Sequence, residues 1–227
     1  GCGNAPDDHA GHDHDDHAEH AHPFDGVTKA ICVLSPTNNA DLPGVTGTIT
    51  FTDTGHGVRV VANVSGLTPN AKHGFHVHQF GDVSAADGTA TGGHYNPGGS
   101  EHGLPTSESH GDHEHHMPGG HAGDLGNLEA DADGNATYDK VFDGISVAGL
   151  NKPVLGRSII VHIKEDDGGQ PTGNAGPRIA QGVPVPCLAE IPPMIAKPAR
   201  GQDQNIGKGG GGHIHGAHTH ITLPGPS

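Results

Sequence analysis

Short stretches in which apolar and polar residues alternate recur along the middle of the chain. In residues 57–66 every second residue is apolar, and in residues 45–53 Ile49 and Phe51 face away from a row of threonines. A period of two residues is typical of strands that bury one face, whereas a helix would repeat about every 3.6 residues. The pattern predicts eight strands, at residues 27–34, 45–53, 57–66, 73–80, 127–134, 135–142, 158–165 and 178–185. Short strands separated by turn signals predict an all-β protein, either a sandwich or a barrel.

Two long segments interrupt the series of strands. One spans residues 81–126, between the fourth and fifth strands, and the other spans residues 166–177, before the last strand. Loops of this length inside a domain are usually functional or disordered. We expect three regions: a flexible His/Asp-rich extension at 1–25, a barrel domain at 26–187, and an irregular Pro/Gly/His-rich extension at 188–227.

Composition and charge exclude several classes of protein. The chain has 227 residues and a formal net charge of −15, which argues against a nucleic-acid-binding surface. No apolar run reaches the length of about 18 residues that would predict a transmembrane helix. An anionic substrate would require a local positive group acting against the overall charge. The 22 histidines are the strongest compositional signal for chemistry.

The three cysteines, Cys2, Cys32 and Cys187, form no C-x-x-C motif. Neither a zinc ribbon nor a thioredoxin-type site is therefore indicated. Their spacing leaves open both a Cys32–Cys187 bridge and free thiols. Gly1-Cys2-Gly3 followed by a polar tether resembles the mature start of a bacterial lipoprotein. This resemblance predicts an extracytoplasmic protein, in the periplasm or cell envelope, anchored through a lipid on Cys2.

Histidines are dense in both terminal extensions. A His/Asp-rich segment without large apolar residues cannot bury a core. It is either a solvated tether or a weak, multidentate collector of Zn²⁺ or Cu²⁺, and the density of histidines favours the collector. The candidate ligands for additional metal are His9, His12, His14, His213, His215, His218 and His220.

Histidines in the predicted strands fall where they could act together. His76 and His78 lie on one face of the fourth strand, about 7 Å apart along it. His162 has the corresponding position in the seventh strand. All three are expected on the outer side of the barrel wall, although two exposed histidines would be the more frequent meaning of a lone H-x-H.

The first long loop adds further candidate ligands, namely His94, His102, His121 and Asp124. Three imidazoles and one carboxylate suit tetrahedral Zn²⁺, whereas four imidazoles suit Cu²⁺. Spacing alone leaves a zinc hydrolase and a copper protein both open. Four more loop histidines could compete as zinc ligands: His110, His113, His115 and His116.

Five motifs occur in order: GFHVHQFGD (74–82), GGHYNP…HG (92–103), HAGDLGNL (121–128), SIIVHIKEDD (158–167) and TGNAGPRIA (172–180). With these motifs, residues 27–185 resemble the copper–zinc superoxide dismutase family. The resemblance implies an eight-stranded Greek-key β-barrel with long metal-binding and electrostatic loops. It also implies copper and zinc as cofactors and superoxide as the substrate, which is converted to dioxygen and hydrogen peroxide as copper is alternately reduced and oxidised.

The resemblance also implies a role for individual residues. Asp166 would link a copper ligand to a zinc ligand by hydrogen bonds. Thr172 and Arg178 would line the substrate channel, and His94 and Arg178 would be the catalytic residues. Copper would be bound by His76, His78, His94 and His162, and zinc by His94, His102, His121 and Asp124. A copper/zinc storage or donor module with weak or no turnover is the alternative, because so many histidines are present.

The chain departs from the family at its last strand. The positions of the usual intrasubunit disulfide carry Ala86-Asp87-Gly88-Thr89 and Gln181, so that bridge cannot form. Pro184 and Pro186 also interrupt the end of this strand, since proline has no backbone N–H to donate. A homodimer is compatible with the family resemblance, but these changes argue against the eukaryotic type of dimer.

Overall fold

A computed structural model describes Phe24 and residues 26–110, 113–117 and 120–187. A single 3₁₀ turn covers Thr89–Thr91, and the rest of the regular structure in these residues is β-strand. The strands are β1 (Lys29–Pro36), β2 (Thr46–Asp53), β3 (Val58–Ser65), β4 (Lys72–His78), β5 (Thr106–His110), β6 (His113–Met117), β7 (Asp124–Glu129), β8 (Ala136–Phe142), β9 (Ser158–His162), β10 (Arg178–Gly182) and β11 (Val185–Pro186).

Eight of these strands form a nearly closed antiparallel barrel, in the spatial order β8-β3-β2-β1-β10-β9-β4-β7. From β3 the chain crosses to β4 on the other side of the barrel instead of forming a hairpin, which is a Greek-key connection. The two ends of the order, β7 and β8, meet where the Tyr138 hydroxyl donates a hydrogen bond to the Leu125 carbonyl oxygen at 2.7 Å. The predicted all-β Greek-key barrel is confirmed.

The alternating pattern explains which faces the barrel buries. On β2, Ile49 and Phe51 are fully buried while the neighbouring threonines are not. The ring of Phe75 on β4 packs edge-on against Tyr138 of β8, with centroids 5.3 Å apart. The largest fully buried apolar side chains are Phe51, Phe75, Phe142, Leu34, Ile49, Leu125, Leu128, Ile159, Ile160 and Ile179. This packed interior makes β4 and β9 a rigid support for the histidines that they carry.

Three strands were not predicted. The loop at 81–126 contains the hairpin β5–β6, and β6 extends the barrel sheet by pairing with β8 in parallel. Beyond β10, the short strand β11 pairs with the start of β1. Pro184 separates β10 from β11, so the prediction that prolines alter the final strand agrees with this break. The expectation of eight strands was therefore incomplete.

Cys32 and Cys187 are both free thiols, so the conceivable bridge between them is absent. Cys32 is buried, and burial raises the pKa of its thiol to about 12. Apart from Phe24, the predicted extensions lie outside the described residues, together with Cys2 and the tail histidines, and they stay predictions. None of the described segments is a helix of the length and apolarity needed to cross a membrane.

Candidate metal centre

Four histidines meet on the outer face of the β4–β9 pair. His76 and His78 lie on β4, His162 ends β9, and His94 joins from the loop through an isolated bridge with His78. Each offers one ring nitrogen, and these nitrogens all lie within 4.8 Å of one another. We call this set the four-histidine cluster. The structure thus brings together the residues that the sequence suggested as copper ligands.

All four rings are buried, with residue exposures of 8% or less. They lie on the predicted face of the pleated sheet, but loop residues contact the rings there: Gly92 accepts a hydrogen bond from His78, and Gly176 accepts one from His162. The interpretation of the H-x-H sequence as two exposed histidines is therefore wrong. Burial also lowers the pKa of His162 to about 4 and holds the pKa of His76 and His78 well below the usual value near 6.5. The imidazoles of His76, His78 and His162 are consequently neutral at physiological pH, with a lone pair free to bind a metal ion.

Hydrogen bonds fix which nitrogen of each ring is free. His78 Nδ1 donates to the Gly92 carbonyl oxygen at 2.9 Å, and His162 Nδ1 donates to the Gly176 carbonyl oxygen at 2.7 Å. Their Nε2 atoms therefore carry lone pairs, yet these atoms lie only 3.3 Å apart. His76 Nδ1 is buried and has no hydrogen-bond partner within the described residues. Unprotonated nitrogens converging without a donor fit a bound cation, and an all-imidazole set suits Cu²⁺.

A second cluster adjoins the first and shares His94 with it. It consists of His94, His102, His121 and Asp124, whose candidate ligand atoms again lie within 4.8 Å of one another. The Nδ1 atoms of the three rings lie 2.8, 2.9 and 3.2 Å, respectively, from Asp124 carboxylate oxygens. Burial raises the pKa of Asp124, but the hydrogen bond from His94 and the charge of His102 outweigh it and lower that pKa. Three imidazoles and an ionised carboxylate suit tetrahedral Zn²⁺.

A comparison with protein families gives an independent result. The family model described as "Copper/zinc superoxide dismutase (SODC)" matches residues 45–184, which is more than half of the 227-residue chain. The chain belongs to the copper/zinc superoxide dismutase family. The recognition made from the five motifs is confirmed. The match begins within the segment leading into β2, whereas the structure also places β1 in the barrel, paired with β2 and β10.

In this superoxide dismutase family member, Asp166 connects the two clusters. Its side chain is fully buried, and its two carboxylate oxygens accept hydrogen bonds from His76 Nε2 at 2.8 Å and His102 Nε2 at 2.9 Å. Each bond fixes the orientation of one ring and leaves its Nδ1 facing a cluster. A carboxylate in this position fixes the tautomer of a ligating histidine and increases its basicity. The structure thus brings Asp166 into contact with a histidine of each cluster, and its part in metal binding stays a prediction.

Asn127 holds Asp166 in turn, and sequence reasoning did not single it out. Its side-chain amide donates to the Asp166 carbonyl oxygen at 2.9 Å and accepts from the Asp166 backbone N–H at 2.8 Å. These two bonds fix the backbone from which the carboxylate projects. The available signal was a polar residue in the middle of an otherwise apolar stretch of the HAGDLGNL motif.

Gly173 is a second residue that sequence reasoning missed. Its φ is +73°, a left-handed conformation that favours glycine. A Cβ atom there would overlap Asp166 Oδ1 and would lie 2.7 Å from His102 Nε2. The backbone at Gly173 therefore packs directly against the Asp166–His102 hydrogen bond, and only glycine leaves room for it.

His73 contributes to the support behind the clusters. It is fully buried on β4, and its Nδ1 donates to the His162 carbonyl oxygen at 2.9 Å. Its Nε2 accepts a hydrogen bond from the Thr68 backbone N–H at 3.3 Å. Both ring nitrogens are thus used, so His73 is a structural residue that fixes the end of β9.

A cavity of about 390 Å³ opens onto the four-histidine cluster. Its lining includes His78, His94, His162, Thr172 and Arg178. The role of Thr172 and Arg178 in a substrate channel stays a prediction. The Arg178 guanidinium is half-buried, and its Nη2 donates to the Gly92 carbonyl oxygen at 2.7 Å. Burial lowers the pKa of Arg178 and the charge of Asp87 raises it, but an arginine remains protonated at any physiological pH.

Gln181 occupies the place where the family's disulfide would attach to the last strand. Its side-chain amide donates to the carbonyl oxygens of Val83 and Ala85, at 3.4 and 3.1 Å. The Asn38 backbone N–H adds a bond to the Ala86 carbonyl oxygen at 2.8 Å. The absence of the bridge is therefore offset by hydrogen bonds that join the loop after β4 to β10 and to the segment after β1.

The remaining candidate metal ligands, in the loop and in the tails, all stay predictions. The four competing loop histidines lie in the hairpin, His110 on β5 and the other three on β6. Their participation in the second cluster stays a prediction. The tail histidines, suggested as ligands for additional metal, lie outside the described residues.

Proposed function

We propose that this protein is an active copper–zinc superoxide dismutase, and not only a metal-binding member of the family. The observation that carries the proposal is the position of Arg178. A fixed positive group lines the same cavity as three members of the four-histidine cluster. A site that only stores metal needs the ligands, but it does not need a cation beside an open channel.

The residues present fit copper in the four-histidine cluster and zinc in the second. Copper bound by His76, His78, His94 and His162 would supply one-electron redox chemistry. Zinc would be held by His94, His102, His121 and Asp124. The overall reaction balances when two superoxide ions and two protons give one dioxygen and one hydrogen peroxide, so one superoxide is oxidised and the other is reduced.

Arg178 would bind and orient the anion. The hydrogen bond to Gly92 fixes one edge of the guanidinium, and a planar fork can donate two hydrogen bonds to one small anion. The chain carries a net charge of −15, which repels anions at long range. At physiological salt, however, charges are screened beyond a Debye length of about 8 Å. The local charge of Arg178 therefore dominates inside the cavity.

His94 would handle a proton. Its Nδ1 lies 2.8 Å from Asp124 Oδ1 in the second cluster, so its Nε2 is the nitrogen offered to the four-histidine cluster. The ring also lines the cavity. An imidazole that is fixed at Nδ1 can hold a proton at Nε2 and deliver it to a reduced oxygen species in the cavity.

The decisive assay compares Arg178→Glu with a matched control. Arg59→Glu makes the same charge change on the outer face of β3, where Arg59 pairs with Asp139. With one copper and one zinc per chain, we expect Arg178→Glu to lower the rate of superoxide decay by at least about tenfold. Arg59→Glu should stay close to the wild-type rate. Pulse radiolysis at several salt concentrations measures both.

Two outcomes would contradict the proposal. Equal rates for wild type and Arg178→Glu would mean that the anion does not approach past this residue. Negligible dismutation by fully loaded wild-type protein would favour the alternative, a copper/zinc storage or donor module.

A further inference from the structure

An acidic residue lies in the same cavity as Arg178. Apart from the histidines, Asp87 and Arg178 carry the formal charges among the described residues that line this cavity of about 390 Å³. Superoxide is an anion, so it would pass a carboxylate that repels it as well as a guanidinium that attracts it. Binding of the substrate by Arg178 leaves Asp87 without a role.

The turn that follows Asp87 fixes the position of its carboxylate. Asp87 Oδ1 accepts hydrogen bonds from the Thr89 backbone N–H at 3.0 Å and from the Thr89 hydroxyl at 2.7 Å. These bonds lower the pKa of Asp87, and the charge of Arg178 acts in the same direction. The carboxylate is therefore ionised at physiological pH and is a fixed negative charge at the cavity.

The backbone next to Asp87 packs directly on Arg178. A Cβ atom at Gly88 would lie 2.9 Å from Arg178 Cδ and 3.3 Å from Arg178 Cβ. The Gly88 carbonyl oxygen accepts a hydrogen bond from the Thr91 hydroxyl at 2.8 Å, which holds this backbone in place. Burial lowers the pKa of Arg178, while the charge of Asp87 raises it. The carboxylate and the guanidinium therefore act on the same small volume.

The two charges oppose each other in their effect on an anion. Asp87 is exposed and Arg178 is half-buried, and water screens an exposed charge more strongly than a partly buried one. Asp87 therefore weakens the attraction at Arg178 without cancelling it. Because electrostatic energy is proportional to the charge of the anion, this weakening costs a divalent anion twice as much free energy as it costs superoxide.

We propose that Asp87 is a specificity-determining residue, whose carboxylate lowers the affinity of the channel for multiply charged inorganic anions such as phosphate and sulfate. This inference rests on the proposed function, since it concerns the same channel. Arg178 alone would favour a divalent anion over a univalent one, because attraction grows with charge. Asp87 reduces that preference, so superoxide meets less competition for the guanidinium.

The experiment compares two variants of the full-length chain, each loaded with one copper and one zinc. Asp87→Asn removes the charge but keeps a side-chain oxygen that can accept the hydrogen bonds from Thr89. Asp82→Asn is the matched control. Asp82 is also exposed in the loop after β4, and its Oδ1 accepts a hydrogen bond from the Ser84 backbone N–H at 2.9 Å. It is not among the residues that line the cavity.

Anion binding is measured without turnover. Azide is the univalent probe, and its binding is followed by the visible absorption of the loaded protein. Sulfate is the divalent probe, measured by its competition with azide at constant low ionic strength. We expect Asp87→Asn to raise the affinity for azide by about two- to threefold and the affinity for sulfate by about four- to ninefold, the square of the univalent effect. Asp82→Asn should leave both affinities unchanged, and added salt should reduce both gains.

Four results would overturn the proposal. The first is equal affinity for both anions in wild type and Asp87→Asn. The second is an equal gain for azide and sulfate, which would indicate a change of shape and not of charge. The third is the same gain in Asp82→Asn, since only the net charge of the chain would then matter. The fourth is sulfate that competes with azide in neither protein.

Failure of the proposed function has a different signature. If Arg178 does not bind the anion, Arg178→Gln will bind azide as tightly as wild type, whatever the effect of Asp87→Asn. If Arg178→Gln weakens azide binding and Asp87→Asn leaves it unchanged, the role of Asp87 fails and that of Arg178 stands. Copper and zinc contents of one per chain show that each variant has kept both clusters.

Discussion

Replacing Gly173 by alanine tests how closely the backbone packs on the hydrogen bonds between the two clusters. The new methyl group would overlap Asp166 Oδ1 and press on His102 Nε2. The Asp166 side chain cannot rotate out of the way without losing contacts. Its backbone is hydrogen-bonded to Asn127, and its two carboxylate oxygens accept hydrogen bonds from His76 and His102. The carboxylate must therefore move and lose at least one of these bonds.

The expected magnitude has two parts. A left-handed conformation costs a residue other than glycine about 1–2 kcal/mol. Hydrogen bonds that involve a charged group contribute about 1.5–3 kcal/mol each. We therefore expect Gly173→Ala to lower the free energy of unfolding by about 2.5–5 kcal/mol, if one such bond is lost in addition to the backbone cost. Because Asp166 orients a residue of each cluster, affinity for both metals should fall by about 10- to 100-fold.

Gly156→Ala is the matched control. Gly156 has a φ of +75°, close to the +73° of Gly173, but a Cβ atom at Gly156 would meet nothing within 4 Å. It therefore carries the backbone cost without the overlap. Urea unfolding of the metal-free proteins and chelator competition for copper and zinc measure both quantities. If the two variants lost the same stability and kept the same metal affinity, the packing argument would be refuted.

Two further predictions concern the loop connection and pH. Gln181→Leu removes the hydrogen bonds from β10 to the carbonyl oxygens of Val83 and Ala85, so the free energy of unfolding should fall by about 1–3 kcal/mol; an unchanged urea midpoint would contradict this. In the metal-free protein, burial lowers the pKa of His162 to about 4, while the unfolded chain takes up a proton near pH 6.5. The unfolded state is therefore favoured by protonation at low pH. The free energy of unfolding should be highest above pH 6.5 and should fall by about 3 kcal/mol as the pH decreases to 4. Urea titrations across this range check it, and a flat profile would count against it.

The sequence predicted the barrel and the identity of the clustered residues for physical reasons. Alternation along a strand is a local property, so the shared face of His76 and His78 follows from their spacing. Their burial does not follow from it, since it depends on loop residues such as Gly92 and Gly176, whose positions against the rings are not given by the pattern of the strand. The hairpin β5–β6 was missed because all of its strand residues except Met117 are polar, and such strands give no alternating hydrophobic signal.

The supporting residues were missed for a different reason. Asn127 acts on a residue 39 positions away, and Gly173 matters through the space it leaves for a side chain on another part of the loop. Neither property is visible in the local sequence. Gln181 was noted only because it stands where a cysteine was expected, and its hydrogen bonds became evident only from the structure.

One carbonyl group links metal binding to the proposed handling of the substrate. The Gly92 oxygen accepts hydrogen bonds from both His78 Nδ1 and Arg178 Nη2. A shift of this peptide would turn the His78 ring and move the guanidinium at the same time, so the two cannot be adjusted independently. The peptide belongs to the same loop after β4 that Gln181 joins to β10. A barrel without the family's disulfide therefore still requires a connection at this point, because the loop positions both a candidate copper ligand and the cation beside it.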